Sequence, residues 1–219
     1  MPTRRETSPA CLRGTSHDTG TPTRNHRSRF VANERRQLAE LLCEKSLSRG
    51  DFTLSSGKKT DIYVDAKKTV LTGRGATLAG RQLWELVSGL SGDIRGVGGL
   101  TLGADPLVTA IAMTAYGNGR EIDAIIVRKG SKEHGTKQLL EMPDGIEPGD
   151  EVVAVDDVVT TDGAIVDAIE RMRDFGLAVD HATCLVDRED VGARALADID
   201  VELHPVFTLS ELREIRGQE

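Results

Sequence analysis

From residue 94 onward, short apolar runs alternate with amphipathic stretches. The runs predict strands at Ile94–Gly98, Ala124–Val127, Val152–Val155, Ala182–Val186 and Val201–Val206. Apolar residues spaced by three and four predict helices between them, at Asp105–Tyr116, Gly163–Phe175 and Val191–Ala197. Strands that alternate with helices are typical of an α/β fold, in which a parallel sheet is covered on both faces.

The pattern before residue 94 is different. A helix is predicted from Asn33 to Gly50, and a second helix brings the chain to Gly92. Between them, Phe52–Lys68 reads as two short strands around a turn at Gly57. A last helix is predicted after Thr208, because Thr208 and Glu211 have the spacing of a capping box.

Composition excludes several classes of protein. The chain has 219 residues, 29% of them charged and 38% hydrophobic, which fits one ordinary globular domain. No apolar run has the roughly 20 residues that would cross a membrane, and a net charge of -7 argues against non-specific nucleic-acid binding. Cys11, Cys43 and Cys184 are far apart, which favours free thiols in a reducing cytoplasm.

Residues 1–29 differ from the rest. They hold six Arg against two acids and almost no large apolar side chain, so we expect a disordered basic tail followed by one domain over residues 30–219. Such a start also resembles an organellar transit peptide. Alternatively, the true start lies downstream, at Val31.

An acid pair stands at the end of one predicted strand. Asp156 and Asp157 follow Val152–Val155, and a small, hydroxylic turn then opens a helix. Ligands of open parallel sheets bind beyond the carboxyl ends of the strands, and the backbone N–H groups of such a turn can hold a phosphate. The two carboxylates suit ribose hydroxyls, hydrated Mg²⁺, or both.

A basic cluster opens a long polar segment, Arg128 to Asp150, which we expect to be a functional loop without regular structure. Cations on a loop that closes can meet charge on a leaving group. The cluster consists of Arg128, Lys129, Lys132 and His134. By contrast, His181 and His204 have no ligand-like partner nearby in sequence and are expected to be structural or solvated.

Three motifs together resemble orotate phosphoribosyltransferases, which belong to the type I phosphoribosyltransferases. The acid-pair segment resembles the family's motif for 5-phosphoribosyl 1-diphosphate (PRPP). The spacing R-K-x-x-K-x-H-G matches its mobile catalytic loop, and FTLSSGKKTDIYVD resembles its N-terminal substrate motif through Phe52, Ser56, Gly57 and Tyr63. The resemblance implies the type I phosphoribosyltransferase fold, a five-stranded parallel sheet with flanking helices and a small N-terminal hood.

The resemblance also implies an activity and a set of roles. The reaction would join orotate and PRPP into orotidine 5′-monophosphate and pyrophosphate, a step of pyrimidine biosynthesis, with Mg²⁺ bound mainly through PRPP. The catalytic residues would be Lys132, His134, Asp156 and Asp157. The segment from Val158 to Ala164 would bind PRPP together with Arg128 and Lys129; its members are Val158, Val159, Thr160, Thr161, Asp162, Gly163 and Ala164. A homodimer is implied, with Lys132 and His134 acting in the partner's site.

Two weaker matches extend the resemblance. LVDRE, residues 185–189, resembles the family's strand-end D-R-x-E, so Arg188, with Thr160 nearby, would bind orotate. VGGLTLGADP resembles the pyrophosphate loop, in which Gly98 and Gly99 would let the backbone approach the ligand.

Three positions depart from the family pattern: Ser55 and Leu102 stand where many or some members have Lys, and Asp162 replaces the usual Gly. The alternatives are a purine-type phosphoribosyltransferase and a non-catalytic, PRPP-sensing regulator of the same fold.

Overall fold

The computed structural model describes residues 24–53, 59–130, 139–160, 163–190 and 192–217. The N-terminal part of these residues forms α1 (Arg24–Leu41), a π-helical turn (Leu42–Ser46), β1 (Leu47–Thr53), β2 (Lys59–Val64), α2 (Lys67–Val70) and α3 (Gly73–Ser88). The remainder forms β3 (Ile94–Leu100), α4 (Asp105–Gly117), β4 (Asp123–Val127), β5 (Leu140–Glu141), β6 (Glu151–Val159), α5 (Ala164–Phe175), β7 (Ala178–Asp187), α6 (Gly192–Ala197), β8 (Glu202–Thr208) and α7 (Leu209–Gly217).

The described strands form a central sheet in the order β5-β4-β3-β6-β7-β8. All its pairs are parallel except β4 with β5, so the predicted parallel α/β sheet is confirmed. The sixth strand, β5, was not predicted. It contributes only Leu140 and Glu141, and two residues carry no periodicity that sequence reasoning could detect.

Apolar side chains cover both faces of the sheet. Helices α1, α3, α4 and α7 enclose one core, in which Leu38, Leu83 and Leu107 are fully buried. Helices α5 and α6 enclose the other, around Ile169 and Leu196. Burial on both faces explains why the central strands read as continuous apolar runs. Among the described helices, none is long and apolar enough to cross a membrane.

The hood is the antiparallel pair β1–β2, whose register shifts between Arg49 and Phe52. The predicted helix boundaries here are wrong. Helix α1 begins at Arg24, inside the segment expected to be a tail, and it ends at Leu41, so that Gly50 lies in β1. Residues 1–23 and the predicted turn at Gly57 lie outside the described residues.

The order of the strands determines where a ligand can bind. From β3 the chain passes to β4 on one side and later returns to β6 on the other side of β3. Such a reversal leaves a crevice at the carboxyl ends of the two strands that flank it. The ends of β3 and β6 are therefore the expected position of the site.

Candidate active site

A cavity of about 650 Å³ lies where β3 and β6 end. The hood closes one side of it, and the segments that follow β3 and β6 line the other. The lining residues are Thr53, Tyr63, Val64, Lys67, Leu100, Thr101, Leu102, Gly103, Lys129, Asp156, Asp157, Val158, Thr160, Ala164 and Arg188.

The acid pair lies in the wall of this cavity and is buried. Strand β6 continues to Val159, so the two carboxylates lie within the strand rather than after it as predicted. Pairing of β6 with β3 ends at Ala154, whereas pairing with β7 continues to Val159. The divergence of β3 from β6 opens the space that the carboxylates face.

The two acids differ in their surroundings. Burial, and then the nearby charge of Asp157, raise the pKa of Asp156 to about 8. At neutral pH Asp156 therefore keeps a proton and can donate a hydrogen bond as well as accept one. Its oxygen Oδ1 accepts a bond of 2.9 Å from the backbone N–H of Asp157.

Gly103 brings backbone directly against the acid pair. A Cβ at this position would collide with Asp157 Oδ1 and come within 3.3 Å of Asp156 Oδ1. Gly98 and Gly99 are not among the cavity-lining residues, and the space for a side chain at each is occupied by protein. A Cβ at Gly98 would lie 2.6 Å from Met172 Sδ, and one at Gly99 would collide with the carbonyl oxygen of Val155.

Lys67 brings a cation to the acid pair from the start of α2. Its Nζ lies 3.0 Å from Asp65 Oδ1 and 3.6 Å from Asp157 Oδ2. Burial alone would lower the pKa of Lys67, but the bond to Asp65 and the charge of Asp157 outweigh it and raise the pKa. Sequence analysis missed this residue, because it assigned the whole of Phe52–Lys68 to two strands, whereas β2 ends at Val64 and Lys67 begins α2.

Arg188 crosses from the end of β7 to the hood. It is buried, and its guanidinium lies 3.4 Å from Asp190 Oδ2, from the carbonyl oxygen of Ile62 and from Thr60 Oγ1. The predicted position of Arg188 in the cavity is thus observed, and the hood holds it there.

Most of the other described candidates also meet at the cavity, namely Lys129, Val158, Thr160 and Ala164. Gly163, at the start of α5, has a φ of 70°, a conformation that favours glycine. Three candidates in the described part of the chain, Arg128, Val159 and Gly163, are not among the lining residues. The side chain of Val159 is buried in the core under α5, and Arg128 pairs with Glu141 at 2.8 Å. Lys132, His134, Thr161 and Asp162 lie outside the described residues.

One observation concerns a position that departs from the family pattern, and another concerns two positions that match it. Leu102 lines the cavity with 73% of its surface exposed, so an apolar side chain occupies a polar opening. Phe52 and Tyr63 of the N-terminal motif contact each other in a tilted arrangement with ring centroids 5.5 Å apart, and Tyr63 lines the cavity. Ser55, Ser56 and Gly57 lie outside the described residues.

Known proteins resemble this chain over most of its length. It is 41% identical over 189 residues, or 86% of the chain and 89% of the relative, to the orotate phosphoribosyltransferase of Nostoc sp.. The chain belongs to the orotate phosphoribosyltransferase family. It is thereby a phosphoribosyltransferase of the glycosyltransferase class, and the family acts in pyrimidine biosynthesis. No protein-family model matches the chain.

Solved structures of family members share the fold. The orotate phosphoribosyltransferase of Mycobacterium tuberculosis in complex with Fe(III) dicitrate is 38% identical, with a TM-score of 0.70, over 82% of this chain and 98% of that one. The same enzyme in complex with PRPP gives a TM-score of 0.67 at 36% identity, over 82% of this chain and 99% of that one. The predicted type I phosphoribosyltransferase fold is confirmed.

Proposed function

We propose that this chain transfers the phosphoribosyl group of PRPP to orotate and releases pyrophosphate. A ring nitrogen of orotate gives up its proton to solvent and bonds to C1 of the ribose while the bond from C1 to the pyrophosphate oxygen breaks. The observation that carries the proposal is the acid pair in the cavity between β3 and β6, with Lys67, Lys129 and Arg188 lining the same cavity. Ribose is polyhydroxylic and both substrates are anionic, so this set of charges suits them.

Asp156 and Asp157 hold the ribose hydroxyls. The carboxylate of Asp157 accepts hydrogen bonds from the ribose hydroxyls, and the protonated carboxyl of Asp156 donates one. As the bond to pyrophosphate breaks, positive charge develops at C1 of the ribose. A neighbouring carboxylate stabilises that charge without reorganising, because the strand already fixes it.

Mg²⁺ fits the chemistry of these residues. It prefers oxygen ligands and keeps several waters, and it is bound through one or two carboxylates plus substrate phosphates. The oxygens of Asp156 and Asp157 converge beside Gly103, where they can face a hydrated ion held by PRPP. When bound, Mg²⁺ would neutralise charge on the departing pyrophosphate. In this chain Lys67 is also close enough to the acid pair to contribute a positive charge. It can thereby replace the lysine that some family members have at the position of Leu102.

The turn from Thr160 to Ala164 binds the 5-phosphate. Thr160 and Ala164 line the cavity, and α5 begins at Ala164. The N–H groups at the start of a helix point outward and attract anions. Gly163 supports this role, because its left-handed conformation directs the chain into α5.

Arg188 binds the orotate carboxylate. A guanidinium offers two parallel N–H donors that match the two oxygens of a carboxylate. Its present contacts with Thr60 and Ile62 are long, at 3.4 Å, so an anion can compete for the same donors. Binding orotate here places its ring between the hood and the acid pair.

The basic loop completes the site from a second subunit. Lys132 and His134 reach the pyrophosphate of the partner's site in a homodimer. Two large apolar side chains on α4 support an assembly, since Met113 and Tyr116 are 72% and 75% exposed.

A mixing experiment tests this arrangement. The loop variant Lys132→Ala is mixed with the double variant Asp156→Asn/Asp157→Asn under conditions that allow subunits to exchange. Each heterodimer then has one intact site, so random pairing restores at most about a quarter of wild-type activity. Confirmed subunit exchange without recovered activity contradicts action in the partner's site.

One assay tests the proposed reaction. Full-length protein with PRPP and Mg²⁺ is offered orotate, uracil, adenine and hypoxanthine as acceptors, and pyrophosphate release is measured. We expect orotate to be consumed fastest. Faster turnover of adenine or hypoxanthine assigns a purine-type activity, and PRPP binding without turnover of any acceptor assigns a sensor.

A further inference from the structure

Two histidines and a glutamate meet at the other end of the sheet from the cavity. Strands β7 and β8 pair in parallel, with His181 opposite Glu202 and Thr183 opposite His204. Residues two apart on a strand share a face, so His181, Glu202 and His204 point the same way. His181 lies six residues before Asp187 on β7, which corresponds to roughly 20 Å along a strand.

We propose that His181, Glu202 and His204 bind a divalent transition-metal ion of the Zn²⁺ class. The proposal does not depend on the transferase activity, and none of the three residues lines the cavity at the carboxyl ends of β3 and β6.

The distance between the imidazoles carries the proposal. His204 Nε2 and His181 Nδ1 are 3.2 Å apart. Two nitrogens bound to one zinc ion at about 2.0–2.1 Å lie about 2.9–3.4 Å apart for ligand angles between about 90° and 109°. The rings are tilted by 56° with centroids 5.2 Å apart, so they do not stack face to face. Both lone pairs can therefore be directed at one point between the strands.

Glu202 supplies the third ligand. Its Oε2 lies 3.8 Å from His204 Nε2 and 4.0 Å from His181 Nδ1. The side chain of Glu202 is 71% exposed, so a change of rotamer can shorten both distances at little cost. Two imidazoles and one carboxylate, with remaining positions for water, form a common set of ligands for such ions.

The surroundings favour the neutral imidazole that a metal requires. Both histidine side chains are about one-fifth exposed, which leaves an approach from solvent. Burial, and the neighbouring His181, lower the pKa of His204, although Glu202 acts in the opposite direction. Mg²⁺ prefers oxygen to imidazole ligands, so the ion of the transferase reaction would not compete here.

The test is zinc titration of the full-length, untagged protein by calorimetry in the presence of excess Mg²⁺. We expect one Zn²⁺ per chain at this site and a rise of the melting temperature by a few degrees, because an ion that binds only the folded state stabilises it. His204→Gln and His181→Gln should each weaken that binding by more than about tenfold, since even outer-sphere changes cost ~10–100-fold. Co²⁺ should give visible absorption that both variants lose.

Matched controls separate this site from other ligands. Glu202→Gln should weaken zinc binding and, being exposed, should leave the fold intact, whereas Glu214→Gln on α7 should have no effect. His134→Gln tests the histidine of the basic loop and should retain binding at His181 and His204. No binding at micromolar Zn²⁺, or binding that both His181→Gln and His204→Gln leave unchanged, overturns the proposal and makes the two imidazoles a hydrogen-bonded pair only.

Discussion

Strand β7 carries polar side chains near both of its ends, and the two ends differ in what surrounds them. At the carboxyl end, Arg188 and the acid pair of β6 are buried beside a cavity of about 650 Å³. At the amino end, His181 and His204 lie partly exposed and contact each other at 3.2 Å. Reversal of strand order creates a crevice only at the carboxyl end, so buried charge there can serve a large ligand. The amino end offers room for an ion.

The largest expected effect is a loss of turnover that occurs for changes at the carboxyl ends of the strands and not for changes at the amino ends. Asp156→Asn with Asp157→Asn should lower turnover by at least about 10²–10³-fold, as loss of preorganised electrostatic groups does elsewhere. His204→Gln at the amino end should leave turnover within about twofold, because His204 does not line the cavity and lies at the opposite end of the strands from it. Steady-state rates with orotate and PRPP measure both. Near-normal turnover of the double variant would remove the acid pair from the mechanism.

A smaller effect is expected at Lys67. Replacing it with Gln removes the positive charge 3.6 Å from Asp157, so turnover should fall on the order of tenfold. The loss of turnover should be smaller than for a fully buried lysine, since the Lys67 side chain is 43% exposed and solvent screens its charge. Lys68→Gln is the control, because Lys68 is exposed and does not line the cavity. Equal rates for the two variants would assign Lys67 to the surface.

The acid pair should also make the free energy of unfolding depend on pH. The pKa of Asp156 is about 8 in the folded protein, against roughly 3.9 for an unfolded Asp. Between these values the folded state binds more protons, so the free energy of unfolding falls as pH rises. Asp156→Asn removes this contribution. Urea denaturation at about pH 5 and about pH 8 should therefore show wild type losing stability relative to Asp156→Asn; parallel curves would contradict a raised pKa.

The smallest expected effect is a loss of stability at Thr208, a polar residue at the carboxyl end of β8 whose role is structural. Thr208 Oγ1 accepts from the Glu211 N–H at 3.2 Å, and Glu211 Oε2 accepts from the Thr208 N–H at 2.9 Å. Thr208→Ala should cost about 1 kcal/mol of unfolding free energy and leave turnover unchanged. Ser210→Ala, at an exposed position two residues further on, should cost less. A loss of activity in Thr208→Ala would mean that the start of α7 belongs to the site.

Sequence reasoning recovered what depends on local pattern. Strands that are buried on both faces give continuous apolar runs, and the capping box of Thr208 and Glu211 is confirmed by two bonds. The acid pair was found because it follows such a run, and Arg188 was found through the resemblance of LVDRE to the family's strand-end motif.

What it missed depends on register and on the approach of distant segments. His181 and His204 are separated in sequence and meet only because β7 and β8 pair in parallel with one particular register. Neither histidine has a ligand-like partner nearby in sequence, so the chain gave no sign of this contact. Lys67 lies at the start of α2, directly after the hood, and its distance to Asp157 follows from how this segment packs beside β6. Gly103 was passed over because its importance lies in what a side chain there would touch.

The position of Gly103 against the acid pair limits the substitutions that are compatible with activity. Its φ is not in the left-handed region, so any residue could adopt the backbone conformation, and the restriction comes wholly from the oxygens of Asp156 and Asp157. In a library that samples every amino acid at each position, residue 103 should tolerate nothing larger than hydrogen for activity. The same variants should still accumulate as folded protein, because the collision is with the acid side chains at the cavity wall rather than with the core.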